Sequence, residues 1–148
     1  LQRCAEDLAH CEVIDAACAC SDARERLAHV ATFAVSSYAG TASRTLKPFT
    51  PLLGETFELC RPDLGFRFLA ENVGHHPPVI AFHAESLDAP EFEADPNAPS
   101  AKAGARYVFW GDIETKVIFS GRSAEMSPTG MLHLLHNTRL THQSIRTC

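Results

Sequence analysis

The densest grouping of side chains able to do chemistry is Glu71-Asn72-Val73-Gly74-His75-His76-Pro77-Pro78, where adjacent histidines stand between strand-forming residues and a proline pair. Neighbouring side chains on a regular strand point to opposite faces, so both imidazoles reach one ligand only where the chain bends, as Gly74 and the prolines permit. An imidazole donates one hydrogen bond when neutral and two when charged, which suits such a pair to clamping a phosphate near neutral pH. Two other readings stay open on the residues alone. The histidines could be satisfied structural residues of a turn, or they could join His83 and Glu85 around a metal ion in a His-based metal hydrolase. The metal reading is the weaker, because the zincin His-Glu-x-x-His spacing is absent and adjacent histidines lack the helical four-residue separation that brings two imidazoles to one ion. A second grouping is RTLKPFTPLLGE at residues 44–55, where Lys47 follows Arg44 and is held by a proline-rich turn. Lysine offers a phosphate a positive point charge, although solvated surface is the commoner fate of a basic pair.

These groupings need elements to position them. Cys4, Leu8, Cys11, Ile14 and Cys18 follow the three-and-four spacing of an amphipathic helix with one buried face. On that face cysteine acts as a small hydrophobe, and neighbours two turns apart cannot bridge, so buried free thiols are expected. Cys18-Ala19-Cys20 has one intervening residue, against the two to four usual in structural zinc sites. Asp22 and Glu25 have the spacing of a capping box, so a second helix should start there. It carries Leu27, Val30, Ala31, Phe33, Ala34, Val35 and Tyr38, apolar around much of its circumference, and should be a central helix buried on more than one side. The helices together fill residues 3–38.

After a polar loop the pattern changes to the period of strands. Residues 56–60 and 66–73 predict a hairpin closed by Pro62-Asp63-Leu64-Gly65. Residues 79–85, 107–116, 117–123 and 131–136 predict further strands, with Pro128-Thr129-Gly130 as the turn before the last. Residues 87–106 combine Pro90, Pro96 and Pro99 with acidic residues, a composition expected of a flexible insert within the strand region 56–136.

At 148 residues and 45% hydrophobic content the chain suffices for one domain. A net charge of −5 argues against non-specific nucleic-acid binding, which needs a basic surface. The longest apolar stretch, residues 27–38, is interrupted by polar residues and falls short of the roughly 20 needed to span a bilayer. No secretion signal marks the start, so the expected compartment is the cytoplasm.

KPFTPLLGETFE followed by ENVGHHPPVIAFHAES closely resembles the oxysterol-binding-protein-related lipid-transfer domains, whose usual fingerprint is EQVSHHPP. Here Asn72 stands for glutamine and Gly74 for serine. The resemblance extends to AEDLAHCEVIDAA, ERLAHVATFAVSSY, FWGDIETK and SPTGMLHL, and so spans most of residues 1–136. It implies an α+β, mainly β fold: two N-terminal helices followed by antiparallel strands of an incomplete β-barrel around a lipid tunnel, with residues 1–148 forming the N-terminal portion of that domain. It also implies exchange of a sterol or other membrane lipid for phosphatidylinositol 4-phosphate at a transient membrane surface. No bond is made or broken, and no catalytic residue, cofactor or metal is required.

Carried over by position, Lys47, His75 and His76 would hold the phosphoinositide headgroup, with Thr50 in place of the family's asparagine and the Leu52-Leu53-Gly54 backbone beside them. Tyr38 matches a sterol-tunnel position. The chain starts about where the family's lid ends and stops before further strands that complete the headgroup site. A non-transporting relative that only binds membrane phosphoinositide or a partner is therefore the alternative.

Overall fold

A computed structural model of the chain describes residues 1–41, 49–87, 107–119, 121, 124–136 and 141–147. The helical part begins with α1 (Gln2–Ala5), a 3-10 segment (Glu6–His10) and α2 (Glu12–Ala19), joined through residues that keep right-handed helical backbone angles. The expected apolar stripe is present: Cys4, Leu8, Cys11 and Ile14 are buried, joined by Ala17, while Cys18 is only half-buried. Cys4, Cys11, Cys18, Cys20 and Cys60 are all free thiols. Burial pushes the Cys4 and Cys11 thiols up to about 11, which keeps them protonated and unreactive.

The predicted helix start is found at Asp22. Its extended backbone leads into α3 (Ala23–Ser36), and its carboxylate accepts from the amides of Arg24 and Glu25 at 3.4 Å. The central position expected for this helix is not found. Among the described residues α3 buries only Val30 and Phe33, and leaves Leu27, Val35 and, just past its end, Tyr38 between 54% and 68% exposed. A helix apolar on several sides needs a neighbour for each, and α3 meets α2 on one side while Phe33 reaches the sheet at Phe109, ring centroids 5.3 Å apart.

Among the described residues six antiparallel strands follow in the order of the chain: β1 (Thr56–Arg61), β2 (Phe66–His75), β3 (Pro78–Ser86), β4 (Tyr107–Phe119), β5 (Ala124–His136) and β6 (Thr141–Thr147). The β1–β2 turn forms as expected: the Leu64 amide donates to the Arg61 carbonyl at 3.1 Å, and Gly65 takes φ 72°. Two expectations fail farther on. Residues 107–116 and 117–123 are not two strands, since β4 runs on to Phe119. Pro128-Thr129-Gly130 is not a turn but part of β5, with Pro128 opposite Thr115 and Gly130 opposite Ile113. Proline is tolerated there because β6 pairs with β5 only from Gly130 to His136, so no described strand flanks Pro128 on that side. β6 was not anticipated, because its residues THQSIRT carry a single large apolar side chain. Apart from Leu87, the insert expected at 87–106 lies outside the described residues.

One face of the sheet forms the core, and its rows intersperse large residues with small ones. One row runs Leu59, Phe68, Ala84, Phe109, Leu134 and the next Phe57, Ala70, Phe82, Gly111, Leu132. Each ring therefore lies beside an alanine or glycine on its neighbour strand. The rings interlock diagonally, Phe68 with Phe82 at 5.8 Å and Phe82 with Phe109 at 5.1 Å between centroids. The helices cover this face, with Leu8, Cys11 and Ile14 in the same cluster.

Candidate functional site

The end of β2 is where the sequence places its histidines, and its geometry follows from Asn72. Along β2 the buried positions alternate as Phe66, Phe68, Ala70 and Asn72, so a polar amide is carried into the position of a core residue. At 3% exposure it needs partners, and it finds them in the proline-rich loop: Asn72 Nδ2 donates to the carbonyls of Pro51 and Leu52, both at 3.1 Å. The backbone completes the tie. Gly54 N donates to the Asn72 carbonyl at 2.9 Å, and Asn72 N donates to the Glu55 carbonyl at 3.0 Å.

The loop closes on itself as well. Glu55 Oε2 accepts from Leu52 N at 2.8 Å, Glu55 N donates to the Leu52 carbonyl at 3.0 Å, and Gly54 adopts φ 77°, which favours glycine. Asn72 and Glu55 were not singled out as site residues in the sequence. The signal for Asn72 was available, since a period-two count from Phe66 places it on the buried face.

Immediately beyond Asn72 the register of β2 against β3 slips between Asn72 and Gly74, a bulge that supplies the bend two adjacent histidines require. A side-chain carbon at Gly74 would stand 3.0 Å from the Pro77 carbonyl and 3.1 Å from Val79 Cβ, so glycine fits the tight return. His75 ends the strand opposite Pro78, His76 and Pro77 form the turn, and the His76–Pro77 peptide is cis. The bend brings the imidazoles together: both are exposed, with ring centroids 4.5 Å apart and planes at 61°. Two side chains that a flat strand would send to opposite faces thus share one patch.

Of the other expected site residues, Lys47 and Arg44 lie outside the described residues. Thr50 is exposed beside Pro51, and Phe49, Leu52 and Leu53 are between 66% and 101% exposed, an apolar tip on the anchored loop. Tyr38 lies exposed just beyond α3, its amide bonded to the Val35 carbonyl. The metal grouping of His75 and His76 with His83 and Glu85 is not assembled. His83 is five residues along β3 from Pro78, about 17 Å at the usual strand rise, and Glu85 is paired with Arg67 across the strands. No described helix is long and apolar enough to cross a membrane.

Helices packed on one face of an open antiparallel meander, with a clamped loop beside a histidine turn, define an α+β, mainly β domain. Residues 1–147 match the family model described as oxysterol-binding protein. The chain belongs to that family. Human oxysterol-binding protein-related protein 1 is 44% identical over an alignment covering all of this chain and 14% of that protein. Oxysterol-binding protein homolog 2 of Saccharomyces cerevisiae is 42% identical over 90% of this chain and 9% of its own length. Among solved structures, the Osh1 ORD domain in complex with cholesterol superposes with a TM-score of 0.77 at 38% identity, covering 97% of this chain and 30% of that one. The Osh3 ORD in complex with PI(4)P from Saccharomyces cerevisiae gives 0.77 at 31% identity, covering 99% and 35%. The chain thus spans about a seventh of the length of that human relative and about a third of the solved domains.

Proposed function

We propose that this chain is the headgroup-gripping part of a lipid-binding and lipid-transfer domain. In this reading His75 and His76 hold the phosphate of phosphatidylinositol 4-phosphate together with Lys47 and Thr50, beside the Leu52–Leu53 backbone. The observation that carries it is the juxtaposition at the end of β2, where Asn72 fastens the loop at Pro51 and Leu52 just before the turn that pairs the two imidazoles. Solved relatives in complex with cholesterol, ergosterol and PI(4)P support both the sterol and the phosphoinositide as ligands.

The chemistry is binding alone. Hydrogen bonds from imidazolium or lysine to phosphate contribute roughly 1.5–3 kcal/mol each, and apolar contact holds the rest of the lipid. Tyr38 would contact the sterol, and the exposed Phe49, Leu52 and Leu53 would meet the membrane surface from the cytoplasmic side during pickup.

Vesicle flotation tests this reading. Vesicles of phosphatidylcholine with a few per cent phosphatidylinositol 4-phosphate should retain the chain, and vesicles matched in charge with phosphatidylserine should not. Equal retention on both would refute headgroup recognition. A second reading is binding without transfer. Retention without movement of lipid between donor and acceptor vesicles would select it.

A further inference from the structure

The turn between α2 and α3 gathers three side chains with metal-ligand chemistry. Cys20 caps the C-terminus of α2, while Glu25 and His29 stand four residues apart in α3 and share one face of that helix. The Cys20 sulfur, one Glu25 carboxylate oxygen and one His29 ring nitrogen all lie within 4.8 Å of one another. Around a tetrahedral zinc ion with bonds of about 2.0–2.3 Å, donor atoms stand roughly 3.3–3.8 Å apart, so rotamer adjustments suffice to close the set.

The backbone that carries these donors is already held. Arg26 Nη2 donates to the carbonyls of Cys20 at 2.7 Å and Ser21 at 3.4 Å, and Asp22 caps α3 through Arg24 N and Glu25 N. These bonds tie the Cys20 backbone to the first turns of α3. Thiolate, imidazole and carboxylate together suit a borderline-soft dication and not calcium or magnesium, which take oxygen ligands. Thiolate and carboxylate also balance the charge of a dication. Glu25 is exposed and the other two are half-buried, so a fourth position faces water.

We propose that Cys20, Glu25 and His29 bind a zinc-class divalent cation that clasps the α2–α3 turn, with water as fourth ligand. The spacing Cys-x4-Glu-x3-His follows no common zinc pattern, because one donor precedes the helix that carries the other two. None of the three belongs to the phosphate-binding grouping, so the site would be additional to lipid binding.

Titration of the reduced chain with cobalt(II), read by the near-ultraviolet thiolate-to-metal charge-transfer band, tests this directly. Wild type should take up one equivalent with that band, and zinc should displace it. Cys20→Ser should abolish the band, and His29→Gln should weaken binding by about tenfold or more. Cys60→Ser, on β1, should change neither. Circular dichroism without metal checks the fold of each variant, and the near-isosteric Glu25→Gln, expected to weaken binding in the same sense, serves if another fails to fold. A band that survives Cys20→Ser, unchanged affinity in folded His29→Gln or Glu25→Gln, or no zinc uptake by folded wild type would overturn the site.

Discussion

The side-chain amide nitrogen of Asn72 donates to the carbonyls of both Pro51 and Leu52, and the side chain is buried where they meet. Replacing it with alanine removes both bonds and leaves two carbonyls to find other donors, a loss of about 1–3 kcal/mol. Asn72→Ala should therefore lower stability by that order in urea unfolding and weaken phosphoinositide binding, although no histidine is touched. Unchanged binding would show that the loop does not depend on this anchor. Asn72→Asp should be worse, because a carboxylate has no hydrogens to offer the two carbonyls. The bend at the histidines was legible in the sequence, because Gly74 and the proline pair flank them and the bulge forms there, and Asn72 was legible in principle from the alternation of β2. Glu55 was not, since its capping of the Leu52 amide depends on how the loop closes.

The helices carry a pH dependence of their own. Burial raises the Asp7 carboxyl, in the 3-10 segment, to about 7, with Glu6 adding to the shift and Arg3 opposing it. A folded-state value above the unfolded one means that the folded chain binds the proton more tightly. Stability is then greatest below about pH 4 as far as this group is concerned, and falls as pH rises towards about 7, by up to about 4 kcal/mol. Urea unfolding at pH 5 and pH 8 should show the loss, and Asp7→Asn should flatten it. An equally steep profile in the variant would assign the effect elsewhere. The start of α3 was legible because a cap is a local signal, whereas its exposure depends on which neighbours pack around it. The turn predicted at Pro128-Thr129-Gly130 failed for the same kind of reason: turn chemistry is local, but whether a proline interrupts a strand depends on which side is paired.

Across the whole molecule the core holds because its rows fit, and glycine is one of the small partners. A side-chain carbon at Gly111 would stand 2.5 Å from the Met131 carbonyl and 2.9 Å from Leu132 Cδ2, in the row that also holds Phe82. Gly111→Ala should cost about 1–3 kcal/mol in urea unfolding, and a neutral result would mean that β4 and β5 are less closely packed than their geometry indicates. Alternation along β2 was readable in advance. The matching of large to small across strands was not, because it is a property of register, and register emerges only when all the strands pair.

The central claim is that the paired histidines grip a phosphate and do not merely shape a turn. Its most direct test is extraction from vesicles by wild type and by His75→Ala/His76→Ala, run in parallel for phosphatidylinositol 4-phosphate and for sterol. The double variant should lose about tenfold or more of its phosphoinositide binding, the equivalent of one charge-assisted hydrogen bond, while sterol uptake stays within about twofold of wild type. Equal loss of both ligands, or no loss of the phosphoinositide, would contradict it.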